Sequence, residues 1–145
     1  MKVFMRKYAT GKYRAKIPSK YVGDASNIVY RSSWEYKFMK WCDYNPHVTE
    51  WGSEEIFIPY VSPVDGKKHR YFPDFYVKVK GKKYIVEVKP FRQTLEPKTQ
   101  KKVTKTYIYD VFTYAVNKAK WTAAESFCKR TGLQFMLITE KELKV

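Results

Sequence analysis

The sequence predicts a mixed α/β domain, a central β-sheet flanked by helices, and three observations carry that expectation. Runs of alternating aromatic and β-branched residues recur between turn signals from Val48 to Val88, the period-two pattern of strands. Two stretches, Ser33 to about Asp43 and about Val103 to Arg130, instead repeat their apolar residues at helical spacing. A last apolar run, Leu133 to Ile138, follows the second of them. Strands, hairpin, helix and strand in that order fit one mixed sheet with helices packed on it. The 145 residues suffice for one domain with a real core and are too few for two.

The chain opens on a basic stretch. Residues 1–21 carry Lys2, Arg6, Lys7, Lys12, Arg14, Lys16 and Lys20 without one acid, interleaved with Phe4, Tyr8, Tyr13 and Tyr21, and fit neither period. They read as a basic arm that follows a phosphate backbone or docks on a partner, the alternative being a solvated tail. The arm ends at residue 21, and residues 22–145 form the domain.

Ser32-Ser33-Trp34-Glu35 opens the first helix, with Trp34, Phe38, Trp41 and Cys42 as its buried stripe. Ser32 and Glu35 match a capping box. The rival reading turns Glu35 toward the sheet as a third carboxylate, and one rotamer is expected to serve only one of these ends. Asn45-Pro46 breaks the helix. Val48–Trp51 and Glu55–Val61 read as strands, Ser62 to Lys68 as a turn, and His69-Arg70-Tyr71 as the approach to a hairpin. His47 and His69 are read as structural. Pro90 ends the hairpin, and the polar run that follows, with Lys98, Lys101, Lys102 and Lys105, is either a nucleic-acid-facing loop or a solvated connection. Gly132 stops the long second helix after Lys129 and Arg130.

The hairpin runs from Tyr71 to Pro90 around a Gly81 turn and holds the chemistry. Alternate strand residues share a face, so Glu87 and Lys89 point one way while Val86 and Val88 point the other. With an even number of loop residues, Asp74 falls opposite Glu87 or Lys89 on that face. A three-residue loop moves it to the other face unless a bulge restores the register. Two converging acids repel, and a divalent cation between them removes the conflict. The plainer reading is a solvated hairpin face with a cross-strand salt bridge.

Charge and composition bound the partners. Lys and Arg number 29 against 14 Asp and Glu, a net charge of +15, which calls for a polyanion such as nucleic acid. Besides the arm, Arg31 and Arg70 are candidate phosphate contacts. Cys42 and Cys128 show neither CxxC nor Cys-His spacing and read as free core thiols, with no disulfide framework or zinc site. No apolar run approaches the roughly 20 residues of a membrane span, so a cytosolic, soluble protein is expected.

Pro73-Asp74, a gap of 12 residues and then Glu87-Val88-Lys89 resembles the PD-(D/E)xK nuclease superfamily. More specific stretches, Lys20–Asp24, Ile28–Glu35, Trp51–Glu55, Ile58–Tyr60 and Arg70–Phe75, resemble the head completion nucleases of T4-type tailed phages; the likeness runs from roughly Tyr8 to Glu140. The core is also similar to the transposon endonuclease TnsA, where the second acidic position is often Gln and here is Glu87. The resemblance implies a restriction-endonuclease-like fold and Mg²⁺-dependent hydrolysis of DNA, with Mn²⁺ able to substitute. It makes Asp74, Glu87 and the Val88 backbone carbonyl the metal ligands. Lys89 would orient water or offset phosphate charge, and Glu35 would bind a second ion or its water. It implies trimming of packaged double-stranded DNA ends in the host cytoplasm, in company with portal or head proteins and in association with the virion. A Holliday-junction resolvase or transposase-type endonuclease of the same fold is one alternative; a capsid- or portal-binding protein with a vestigial site is the other.

Overall fold

The sheet is built outward from the hairpin. In the computed structural model, which describes residues 10–144, strands β6 (Phe75–Val79) and β7 (Lys82–Val88) pair antiparallel, with Phe75 opposite Val86 and Val79 opposite Lys82. The loop is therefore the two residues Lys80 and Gly81, both left-handed at φ 50° and 80°, the backbone of a type I′ turn whose twist suits a hairpin. Extending that register by one pair sets Asp74 opposite Glu87, one of the two pairings an even loop allows.

Two further strands complete this sheet in the order β3-β6-β7-β8. The edge strand β3 (Val48–Ser53) runs antiparallel to β6, with a register shift between Val48 and Glu50. At the other edge β8 (Gln134–Ile138) runs parallel to β7. A parallel neighbour requires a long crossover, supplied by the long helix between them. A separate two-stranded ribbon, β4 (Ile58–Val61) with β5 (Lys68–Tyr71), leads into the hairpin and packs under that helix. A second small ribbon joins β1 (Gly11–Lys12) to β2 (Val29–Tyr30).

Helix α1 (Ser33–Tyr44) lies on the sheet with Trp34, Phe38, Met39, Cys42 and Asp43 buried. Trp41 is not in that stripe: it is 44% exposed and stacks on Phe38 from outside, while Met39 takes the inner position. Its core partners include Trp51, Phe75, Val77, Val86 and Val88.

The packing does not divide the chain at residue 21. Residues 1–9, with Lys7, lie outside the described residues; residues 10–21 are part of the domain. Tyr13 and Tyr21 are buried in the main core. The reason is Asp43, fully buried at the end of α1, which accepts from the Tyr13 hydroxyl at 2.5 Å, the Lys16 N–H at 2.8 Å and the Trp51 indole N–H at 3.2 Å. Beside it, Lys20 Nζ donates to the carbonyls of Cys42, Asp43 and Asn45, satisfying acceptors that the helix end leaves free.

Helix α2 (Lys105–Thr131) is capped by Thr104 and stops at left-handed Gly132. Only Asn117, Trp121, Ala124 and Cys128 are buried along it. The stripe expected from Tyr107 and Val111 onward is therefore shorter than the helix; its first turns leave Ile108, Tyr109, Val111 and Phe112 exposed. A short helix α3 (Glu140–Leu143), closed by a Thr139–Glu142 capping box, ends the chain. Among the described residues, no helix is long and apolar enough to cross a membrane, and Cys42 and Cys128 are buried free thiols.

Candidate active site

Asp74 leaves the ribbon just before β6 and Glu87 sits one residue from the end of β7, so the hairpin register alone brings them together. Asp74 Oδ2 accepts the Val88 N–H at 2.8 Å, and the Asp74 N–H donates to Glu87 Oε1 at 3.3 Å. Glu87 Oε1 also accepts the Tyr71 hydroxyl at 2.8 Å. Lys89 Nζ stands 3.8 Å from Glu87 Oε2. Asp74 Oδ1 and Glu87 Oε2 receive no hydrogen bond from any described residue.

This is a site under electrostatic tension. Burial pushes the Asp74 carboxyl well above its usual range, and the charges of Glu87 and then Glu35 add to the shift. Burial raises Glu87 too, opposed by Lys89 and by the hydrogen bonds from Tyr71 and Asp74. The hydroxyl of Tyr71 is raised, first by burial and then by the charge of Glu87. Such a cluster gains from a cation brought into it.

The contacts of Glu35 are those of a helix cap. Ser32 accepts the Glu35 N–H at 3.1 Å, the first half of a cap, while Glu35 Oε1 accepts the N–H of Arg31, not that of Ser32, at 3.1 Å. In this rotamer the carboxylate is still raised by burial and feels the charges of Glu87 and Lys89. The rotamer that closes the helix end thus leaves the carboxylate buried and within reach of the hairpin's charges. Among the described residues, however, no three His, Cys, Asp or Glu side chains are gathered tightly enough to form a metal cluster by themselves.

The candidate phosphate contacts scatter. Lys12, Arg14 and Lys16 are exposed along the packed N-terminal segment, and Lys98, Lys101 and Lys102 are exposed in the irregular connection before α2. Arg31 pairs with Glu54. Arg70 lies on β5 with its guanidinium 5.4 Å from the Phe57 ring centre. His69, on β5, bonds Asp65 of the ribbon turn at 2.8 Å.

Two residues at the site were not anticipated. Tyr71 was read only as part of the hairpin's lead-in. Lys120 enters from α2, where its charge acts on Glu87. The available signal was a lysine four residues before Ala124 and three after Asn117, on the buried stripe of the helix.

An antiparallel hairpin carrying paired acids, a parallel strand beyond it and a helix crossing between them form the restriction-endonuclease-like arrangement. The chain belongs to the family of TnsA-like endonuclease N-terminal domains, whose match spans residues 45–140 and takes in all four strands of the central sheet together with α2. It is similar to the head completion nuclease of Enterobacteria phage T4, at 39% identity over 140 residues and with 93% of each chain covered.

Proposed function

We propose that this chain is a divalent-metal-dependent DNA endonuclease that processes DNA ends as a phage head is completed. The observation that carries the reading is the convergence of Asp74 and Glu87 across the β6–β7 register, each keeping one oxygen without a hydrogen bond, with Lys89 Nζ 3.8 Å from that of Glu87. Likeness to a nuclease named for head completion supports the biological setting, with portal or head proteins as partners in the infected cell. Cleavage of linear, circular and four-way-junction DNA, each with Mg²⁺ or with EDTA, tests it. Cutting restricted to junctions would favour the resolvase reading instead.

The donor set suits a hard cation. Mg²⁺ is held by one or two carboxylates and keeps several of its waters; Asp74 and Glu87 provide that pair. The Val88 carbonyl is a third oxygen, because the N–H and C=O of one strand residue leave on the same side and that N–H points at Asp74. Glu35 would hold a second ion or its water. When bound, Mg²⁺ or Mn²⁺ supplies charge for the scissile phosphate and acidifies water. Lys89 offsets phosphate charge or orients the attacking water. Tyr71 holds the Glu87 carboxylate by its hydroxyl. Lys12, Arg14, Lys16, Lys98, Lys101 and Lys102 are exposed and would meet the DNA backbone, joined by Arg31 and Arg70 where DNA displaces their contacts with Glu54 and Phe57; Lys7, expected to act with them, lies outside the described residues.

Two expected outcomes follow from the electrostatics. Glu35→Gln retains an acceptor for the Arg31 N–H but loses the charge. Its melting temperature should stay within about 2 °C of wild type while cleavage falls by about tenfold or more. Full activity with a lower melting temperature would leave Glu35 as a cap alone.

The second concerns pH in the absence of metal. A carboxyl whose folded pKa exceeds its unfolded value stabilises the fold below the unfolded value, about 4, and that contribution is lost as pH rises through the folded value. Asp74→Asn removes this titration and keeps an acceptor for the Val88 N–H. In EDTA its melting temperature should exceed that of wild type near neutral pH, with the gap closing as pH falls toward about 4. A gap that does not change with pH would mean that Asp74 is not strained.

A further inference from the structure

We propose that Lys120 is a second catalytic-site cation, delivered by helix α2, that contacts a phosphate of the bound DNA strand beside the Asp74–Glu87 pair. The inference rests on the nuclease reading and deepens it. Lys120 is half-buried, on the same stripe of α2 as Trp121 and Ala124, which pack against Tyr71 and Ile58 in a second core cluster. Its Nζ lies 5.6 Å from the centre of the Tyr71 ring and 5.9 Å from that of Tyr60. Tyr71 is the residue whose hydroxyl binds Glu87, so the ammonium is held on the aromatic wall of the site.

No ion pair or hydrogen bond among the described residues uses Lys120 Nζ. An ammonium has three donors, and with none of them taken by a described residue all three are open to an incoming acceptor. Burial first, and then the charge of Lys89, lower the Lys120 ammonium from its usual range, opposed by the charges of Glu87 and Asp74. The two lysines thus share one pair of acids from different elements, Lys89 from β7 and Lys120 from α2.

Charge balance indicates what fills the space. Two carboxylates and two lysines cancel. A divalent cation on the carboxylates leaves both lysines in excess, and Glu35 offsets only one of these charges. A polyanion answers the remainder, and the long stem of Lys120 along the tyrosine rings keeps its head directed at the site without a fixed protein partner. The contact is a charge-assisted hydrogen bond to a non-bridging phosphate oxygen.

Lys120→Met keeps the apolar stem and removes the charge, and Lys120→Gln is a second neutral variant should the first fail to fold. Single-turnover cleavage of linear duplex DNA with Mg²⁺ should fall by about 100-fold, as when one preorganised donor is removed from an active site. The slope of log affinity against log salt, measured with Ca²⁺ in place of Mg²⁺, should lessen by about 1. Melting temperature should stay near that of wild type, and Lys120→Arg should recover most of both readouts. Cleavage by the neutral variants within threefold of wild type would overturn the inference, as would lost cleavage with an unchanged salt slope. Failure of the wild-type protein itself to cut any DNA with Mg²⁺ would instead remove the nuclease reading beneath it.

Discussion

Asp74→Ala and Glu87→Ala are each expected to abolish metal-dependent cleavage, with losses of about a thousandfold or more. That corresponds to removing about 4 kcal/mol of transition-state stabilisation, the scale of a metal's action on a phosphoryl oxygen. DNA binding should be retained or strengthened, because the buried pair repels the incoming phosphate as well as itself. Lys89→Ala should also lose cleavage yet keep its affinity for Mn²⁺, since an ammonium is not a ligand. Calorimetric titration of Mn²⁺ into the three variants beside a plasmid cleavage assay separates the roles. Near wild-type cutting by either carboxylate variant would reduce the hairpin to a salt-bridged surface and put the cleavage chemistry elsewhere in the chain.

The largest effect on stability should come from Asp43→Ala. It strips the acceptor from three donors, the buried Tyr13 hydroxyl and Trp51 indole and the part-buried Lys16 N–H, the buried ones costing about 1–3 kcal/mol each when left unsatisfied. The sum, about 3–5 kcal/mol after partial relaxation, is a large share of the 5–15 kcal/mol typical of a domain. It should lower the melting temperature by about 10–20 °C. Asp43→Asn keeps one acceptor oxygen and should lose less. Thermal melts of the two variants give the answer; an alanine variant melting within about 2 °C of wild type would mean that water replaces the carboxylate freely.

The parts of the fold that were legible are those set by short-range periods. The hairpin could be read because side-chain parity and loop length together dictate which residues oppose each other. Asp74 and Glu87 met as one of the two even-loop registers required. Helix α1 was legible from its capping serine and its apolar spacing, although Trp41 and Met39 exchanged places because spacing alone cannot tell which side of a stripe faces the sheet.

What was not legible depends on contacts distant in the chain. Residues 10–21 have no period, yet Tyr13 is buried because its hydroxyl finds Asp43, 30 residues on. The signal lay in the helix, where a carboxylate directly follows the buried Cys42, and it named no partner. Lys120 was similarly hidden, since only the crossover from β7 to β8 brings α2 to the hairpin. For Glu35, the sequence pattern of a capping box points to Ser32 as the residue it closes on, whereas the carboxylate accepts from the Arg31 N–H, a difference of one residue that spacing does not resolve.

The two-residue turn at Lys80-Gly81 has a consequence for how this chain can vary. It stands about five residues, roughly 15–20 Å along the strands, from the acids whose opposition it sets. Its side chains touch nothing that the reaction needs, and an Asn-Gly or Asp-Gly pair there would preserve the same backbone. An insertion of one residue that no bulge absorbed would slide β7 against β6 and carry Glu87 to the opposite face of the sheet, leaving every residue of the site present and none of it assembled. Drift in composition is thus tolerated at this tip while drift in length is not, and a lineage could lose the activity by a single codon gained far from any ligand.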